Sequence, residues 1–213
     1  MSRHADGGPG PAGAWEAEYR SRGHFWGGAA LSIPETVSGE RVLEIGCGNG
    51  KTLGLLASMG AEVTAFDISP AAVALARTSV PGCRRLLVAD ARTLPFRDMV
   101  FDTVVAFHIL GHMDRRERRQ CAVEWSRVLS PGGCLHLRVF SVRDLRCGKG
   151  SEVEESSYLR GNGIMTHYFT GGEVQHLFPA LTPLRIEEHE WTLRVRGRDH
   201  PRSEISAVFE KGC

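Results

Sequence analysis

Between Val42 and Gly50 the chain reads Val-Leu-Glu-Ile-Gly-Cys-Gly-Asn-Gly, an apolar run that ends in three alternate glycines. Val42 to Ile45 has the length and composition of a short buried strand. Gly50-Lys51-Thr52-Leu53-Gly54-Leu55-Leu56 reads as the helix after it. Glycine at every second position lets the backbone turn sharply and leaves no side chain between main chain and ligand. The loop can therefore present its N–H groups, and the positive end of the next helix, to a bound molecule. Such a turn suits a dinucleotide or another adenosine cofactor, and it also suits a tight strand-to-helix connection with no ligand. A nicotinamide fingerprint requires G-x-G-x-x-G. Here the third glycine arrives one residue early, and an acid, Glu44, precedes the first.

From residue 41 onward strand and helix patterns alternate. Strands are predicted at Arg41–Ile45, Glu62–Asp67, Arg85–Ala89, Phe101–Phe107 and Cys134–Phe140, with helices between them. The first helix ends at Met59-Gly60, where glycine supplies a left-handed cap. The second opens at Ser69-Pro70, an N-cap followed by proline at the first helical position. Another runs from Asp114 to about Leu129 and carries Glu117 three residues after the cap, a capping-box pattern. Ser130-Pro131-Gly132-Gly133 then turns the chain into the fifth strand. Alternation of this kind calls for a parallel sheet with helices on both faces, an α/β fold. Thr170-Gly171-Gly172-Glu173 opens a last helix, with Phe169 and Val174 placed as a hydrophobic staple. Two closing strands, about Leu184–Val195 and Glu204–Glu210, form an antiparallel hairpin around Gly197-Arg198-Asp199.

The chain has 213 residues, enough for one such domain with additions, and 42% of them are apolar. Its net charge of +1 gives no global field that would draw it to nucleic acid or membrane. The six cysteines contain no C-x-x-C pair, so reduced thiols in a cytoplasmic protein, with no zinc site, are expected. No apolar run is long enough to span a bilayer. Residues 1–13 lack periodicity and are expected to be disordered. Residues 14–213 are read as a single domain, with 14–40 as an N-terminal cap. Within it Trp15, Tyr19, Phe25 and Trp26 gather large rings, either packed on the domain edge or forming a flap over a ligand.

Several acids and rings fall at the carboxyl ends of successive strands, where open α/β sheets hold their ligands. Asp67 ends the second strand. It could cap a helix, but Ser69-Pro70 already supplies that start signal, which favours a carboxylate accepting two ribose hydroxyls. Ile68 beside it could lie against an adenine face. Asp90 ends the third strand, placed to accept from an exocyclic amino group while the Ala91 N–H meets a ring nitrogen. Phe107 and His108 close the fourth strand. His112 follows one helical turn on, as a capping residue or a substrate contact.

Glu44 to Gly50, Asp67, Asp90, the Phe101-Asp102-Thr103-Val104-Val105 strand and Leu129-Ser130-Pro131-Gly132-Gly133 occur in one order and register. Together they resemble the motifs of the class I S-adenosylmethionine (SAM) dependent methyltransferases, whose motif I is E/D-x-G-x-G-x-G, over about residues 40–140. The resemblance implies a Rossmann-like, doubly wound sheet of seven mostly parallel strands in the order 3-2-1-4-5-7-6, with the seventh antiparallel. It implies SAM as cofactor and S-adenosylhomocysteine as product. Gly46, Gly48 and Gly50 would line the methionine part, Asp67 and Ile68 the ribose and adenine, and Asp90 and Ala91 the adenine edge, with Glu44 and Cys47 as further cofactor contacts. Phe107 and His108 would lie nearest the sulfonium. The C-terminal part more loosely resembles tellurite-resistance-type small-molecule methyltransferases.

The acceptor is less constrained. Phe107-His108-Ile109-Leu110 carries neither the N/D-P-P-Y/F of amino-group methylation nor the Pro-Cys of 5-methylcytosine formation. A small-molecule or metalloid acceptor is expected. RNA or a protein side chain is the alternative, as is a SAM-binding protein without turnover. Residues 141–169 form a long polar, glycine-rich insertion, expected to cover the acceptor site as a lid or to be disordered. Its Glu152, Glu154, Glu155, Tyr158, His167 and Tyr168 are candidate contacts, with His167, Tyr168 and His112 as candidate catalytic groups. Arg138 alternates with apolar neighbours and needs a carboxylate or anionic partner. Arg194, Arg196, Arg198 and Arg202 cluster at the hairpin, either greeting an anionic group or pairing with Glu187, Glu188 and Glu190.

Overall fold

The computed structural model describes residues 11–22, 37, 40–195 and 197–212. In chain order its elements are α1 (Pro11–Arg22), β1 (Arg41–Ile45), α2 (Lys51–Ser58), β2 (Glu62–Asp67), α3 (Pro70–Ser79), β3 (Arg85–Val88) and β4 (Phe101–Phe107). A 3₁₀ turn at Leu110–His112, α4 (Arg115–Val128) and β5 (Leu129–Phe140) follow. Then come β6 (Ser151–Glu154), β7 (Ser157–Leu159), β8 (Met165–His167), α5 (Gly171–Leu177), β9 (Thr182–Val195) and β10 (Arg198–Glu210). One seven-stranded sheet runs β3-β2-β1-β4-β5-β10-β9. Its first five strands are mutually parallel, and β10 lies antiparallel to both β5 and β9. This is the strand order that the motifs imply.

Alternation along each strand divides the core into two layers. Leu43 and Ile45 of β1 face the larger layer, with Val104, Leu135, Leu137 and the α4 side chains Cys121, Ala122 and Trp125. Val42 faces the other, with Val63, Val105, Leu53 and Leu56 of α2, and Val73 and Ala76 of α3. Helix starts match the sequence signals. Ser69 accepts from the Ala72 N–H, and Asp114 with Glu117 closes a reciprocal capping box. Thr170 accepts from the Glu173 N–H, and the staple residues Phe169 and Val174 are both fully buried.

Four expectations need correction. The connection from β3 to β4 holds no helix; Leu94-Pro95-Phe96 keeps it irregular, and the Trp125 indole N–H ties it to α4 through the Ala91 carbonyl at 3.0 Å. Ser130 to Gly133 is no separate turn. It lies inside β5 as an irregularity, pinned from outside by Lys211, whose backbone exchanges hydrogen bonds with Gly132 and Gly133. Pro11 to Gly13, read as part of a disordered tail, begin α1. Residues 1–10, and Phe25 and Trp26 of the aromatic segment, lie outside the described residues.

The fourth correction is the insertion, which is folded. Its strands form a small antiparallel sheet β6-β7-β8, and its two ends are joined where Ser141 bridges Phe169. Several contacts fasten it to the main body. The His112 Nδ1–H donates to the Met165 carbonyl at 2.8 Å, and Arg118 donates to Glu154 at 2.8 Å and to the Met113 carbonyl at 2.7 Å. His167 hydrogen-bonds Glu173 of α5 at 2.9 Å. Arg118 is 2% exposed, so its charge depends on these acceptors. Breaking a buried pair from one side costs about 3–5 kcal/mol. Glu154 is partly solvated, so Arg118→Met should lower unfolding free energy by about 3 kcal/mol, the low end of that range. Arg118→Met with Glu154→Gln should recover part of the loss in urea melts, and equal losses in the two variants would refute the pairing.

Candidate functional site

A cleft of about 760 Å³ crosses the carboxyl ends of β1, β2, β3, β4 and β5 and reaches β10. Its floor is the β1–α2 turn. Gly46, Gly48 and Gly50 all have positive φ, 75°, 52° and 86°. A Cβ on Gly46 would stand 2.0 Å from Ile109 Cδ1, and one on Gly48 would stand 2.8 Å from the Tyr19 hydroxyl. The turn is held by hydrogen bonds from Gly46 and Cys47 N–H to the Phe66 carbonyl, both 2.9 Å. Gly50 caps α2 without a side-chain bond, and Lys51 and Thr52 of its first turn line the cleft.

The acids differ in what they already hold. Asp67 is buried; its Oδ2 accepts from Gly48 N–H and its Oδ1 from Ser69 N–H, each at 3.0 Å. Burial raises its pKa against those hydrogen bonds. Asp90 pairs with the Arg92 guanidinium at 2.5–3.0 Å, which holds its carboxyl below the usual range, and Arg92 also reaches Glu117. Glu44 is 3% exposed on the α2–α3 face, and its Oε2 has no hydrogen-bond partner. Burial, reinforced by Asp67, pushes its pKa up to about 8.

Helix α1 roofs this end. Trp15 and Tyr19, one helical turn apart and so on one face, both line the cleft. Trp15 meets His112 edge-on with ring centroids 4.7 Å apart. Glu16 accepts from the Ser69 hydroxyl at 2.6 Å and Ala71 N–H at 3.0 Å, and Glu18 accepts from Asn162 of the insertion at 2.7 Å. The i, i+4 spacing of Trp15 and Tyr19 was the sequence signal for this face; the acids that dock it carried none.

Every expected cofactor contact, Glu44 through Gly48, Asp67, Ile68, Asp90, Ala91, Phe107 and His108, lines the cleft, except Gly50, which lies behind it against Ala76 of α3. His108 has a left-handed backbone, φ 59°, unusual for a side-chain-bearing residue. Its ring stacks on Phe140 at 4.4 Å, Nε2 faces Glu204 Oε2 at 3.2 Å, and Nδ1 is buried without a partner. His112 also lines the cleft, neutral, with burial pulling its pKa down to about 4.

The other catalytic candidates are not brought to the cleft. His167 is 3% exposed and commits both ring nitrogens, Nδ1 to Ser157 at 2.8 Å and Nε2 to Glu173. Tyr168 is buried beside Phe140 and Tyr158. Glu152, Glu154, Glu155 and Tyr158 do not line it either; Glu154 serves Arg118, Glu155 lies 3.3 Å from Arg115, and Glu152 accepts from Ser156 N–H at 3.1 Å. The insertion contributes Arg146 instead. Arg138 finds the carboxylate it needs in Glu204, at 3.6 Å. Among the described residues, Glu187, Glu188 and Glu190 do not pair with Arg194, Arg198 or Arg202: Glu188 and Glu190 face Arg143, and Glu187 faces Arg185 and His189. Arg202 turns inward to Asp144, Arg194 lies 3.7 Å from Asp199, and Arg196 lies outside the described residues.

The sequence model of the family described as "Methyltransferase domain" matches residues 43–137. A solved structure of a SAM-dependent methyltransferase from Methanosarcina mazei is 26% identical, covers 85% of this chain and 99% of its own, and superposes with a TM-score of 0.71. O-methyltransferase 3 of Dictyostelium discoideum is 31% identical over 65% of this chain and 35% of its own length. A tRNA N(3)-cytidine methyltransferase of Gallus gallus is 31% identical over 68% of this chain and 43% of its own. The chain thus spans less than half the length of these two curated relatives. The looser tellurite-resistance likeness of the C-terminal part gains no support from these matches. The glycine turn, the strand order and the match over residues 43–137 agree with one another: the stretch is similar to a methyltransferase domain, and the chain has the Rossmann-like fold of the SAM-dependent methyltransferase it superposes on.

Proposed function

We propose that the chain transfers the methyl group of SAM to a small-molecule acceptor bound in the same cleft. The observation that carries this reading is the roofed cleft itself. At about 760 Å³ it is within the usual range of ligand pockets, and side chains from α1, the insertion, β9 and β10 wall it off. An acceptor that must fit beneath such a roof is a compact one.

The residues present fit the cofactor on an independent ground. Glu44 Oε2 is a buried acceptor with no partner, and the cation it lacks is matched by the α-ammonium of a methionine moiety. Asp67 would accept from the ribose while bracing the turn, Ile68 would lie on the base, and Asp90 with Ala91 would meet its edge. When bound, SAM supplies an electrophilic methyl on a positive sulfur. The chain's own task is then to align the acceptor and exclude water. Where the acceptor must lose a proton, His108 is the group placed to take it, at Nδ1. Glu204 fixes the opposite tautomer by accepting from Nε2–H. Residues 141–169 would cover the acceptor through Arg146 rather than through His167 or Tyr168.

A second reading, transfer to RNA, is favoured by the curated relatives that act on tRNA. Against it, the net charge is only +1. Incubation with methyl-labelled SAM and lysate separated into small molecules, RNA and protein decides between them: label in the small-molecule fraction is expected, and label in RNA alone would overturn the proposal. SAM bound without label in any fraction would point to a non-catalytic binder. His108→Gln should cut transfer by roughly a hundredfold, a typical general-base contribution, a larger loss than it causes in SAM affinity. Asp67→Ala or Asp90→Ala should weaken SAM binding roughly tenfold or more, since each removes a charge-assisted bond worth about 1.5–3 kcal/mol.

Glu44 adds a pH signature. Its folded-state pKa, about 8, lies above the ordinary carboxylate value, so the native protein keeps a proton that the unfolded chain has released. Its contribution to stability is fully present below the ordinary carboxylate range and is lost as pH rises through about 8. Glu44→Gln should flatten that decline in pH-dependent urea melts. At neutral pH an arriving ammonium should expel the proton, so calorimetric heats of SAM binding should vary with buffer ionisation enthalpy in wild type and not in Glu44→Gln. Identical buffer dependence in both proteins would remove Glu44 from the site.

A further inference from the structure

The charged side chains of the cleft are sorted by sign. Glu44, Asp67, Asp90 and Glu117 line the end by β1, β2 and β3, with Lys51 and Arg92 among them. Arg138, Arg146 and Arg202 line the end by β5 and β10, where Glu204 is the one lining carboxylate among the described residues. Asp144 stands behind them, completely buried at its side chain. Arg202 pairs with Asp144 there, and Arg138 with Glu204.

Arg202 is the most informative of the three. It is 5% exposed, and its Nε donates to Asp144 Oδ2 at 2.6 Å. Its guanidinium carbon lies 4.9 Å from the Phe140 ring centroid and 5.4 Å from that of Trp191, so aromatic rings fix its plane. Its Nη2 is buried in the cleft wall and has no hydrogen-bond partner. A buried cationic donor left in that state is expensive and uncommon. Arg146, whose backbone N–H is held by Asp144 Oδ1 at 3.0 Å, lies close enough that burial and the Arg202 charge both press its pKa down. The surrounding surface is flat and aromatic: Phe140 carries the stacked His108 ring, and Arg138 lies 4.8 Å over Phe107.

We propose that the β10 end of the cleft is an anion subsite, in which Arg202 Nη2, with Arg146 beside it, holds the carboxylate or phosphate of a planar acceptor lying against Phe140 and Trp191. This deepens the methyl-transfer reading and rests on it. Arginine suits the task because one planar group can be anchored by Asp144 through Nε while Nη2 is offered to the ligand.

The test uses the full chain saturated with S-adenosylhomocysteine, titrated calorimetrically with benzoate, naphthoate and phenyl phosphate, and with benzamide and naphthamide as neutral counterparts. The anions should bind and the amides should bind at least roughly tenfold more weakly, as loss of a charge-assisted hydrogen bond requires. A preference for benzoate over phenyl phosphate, or the reverse, assigns the anion. Arg202→Met should lose the same factor. Because that variant strands Asp144 in the interior, Arg202→Met with Asp144→Asn keeps the core neutral and should show the same loss with a native melting profile. Amides binding as well as acids, anion affinity unchanged in the double variant, or no probe bound by protein that still takes up S-adenosylhomocysteine would each overturn the subsite. Failure to take up S-adenosylhomocysteine would instead overturn the underlying methyl-transfer reading.

Discussion

Three left-handed glycines within five residues can persist only because neighbouring groups hold the turn in place. Two N–H groups of the turn converge on the Phe66 carbonyl, and a third donates to the Asp67 carboxylate, so β2 clamps the end of β1. Ile109 and Tyr19 then press into the space where side chains would stand. Much else follows from that clamp. The start of α2 is left facing the cleft, Glu44 is buried with one oxygen unsatisfied, and the carboxyl ends of β1 to β4 are level with one another.

What could be read from the sequence was local. β1, β2 and β4 have the predicted bounds because alternation, capping and terminal glycines are encoded within a few residues. The same holds for Ser69, Asp114 and Thr170 as caps. The β1–β3 end of the cleft is built from short segments that follow their strands, so which residues line it was legible too. The rest depended on partners far along the chain. Ser130 to Gly133 looks like a turn until Lys211 pairs beside it. His167 precedes a helix cap, as an acceptor contact might, yet Ser157 and Glu173 take both its nitrogens. Arg202 and Asp144 are 58 positions apart, and no spacing rule links them.

Sorting charge by sign across one cleft has a direct chemical meaning. On the proposed reading, a cationic donor among carboxylates and an acceptor whose anionic group rests among guanidiniums would be oriented towards one another by unlike charges, where little water can screen them. A dry, low-dielectric enclosure would strengthen that orientation. The roof formed by α1 and the hairpin is thus part of the chemistry as well as of the shape. Among the described residues no helix is long and apolar enough to cross a membrane.

The pairing of β10 with β5 also sets a timetable. One wall of the cleft is drawn from β1 to β4, where Val42 already pairs with Thr103. The opposite wall waits for residues 198–210 to lie down beside residues 134–140 and to deliver Arg202 to Asp144. Contacts of such long sequence separation form slowly, and on a ribosome those residues emerge after everything they must touch. The hairpin's arrival is therefore the step that closes the β10 end of the cleft.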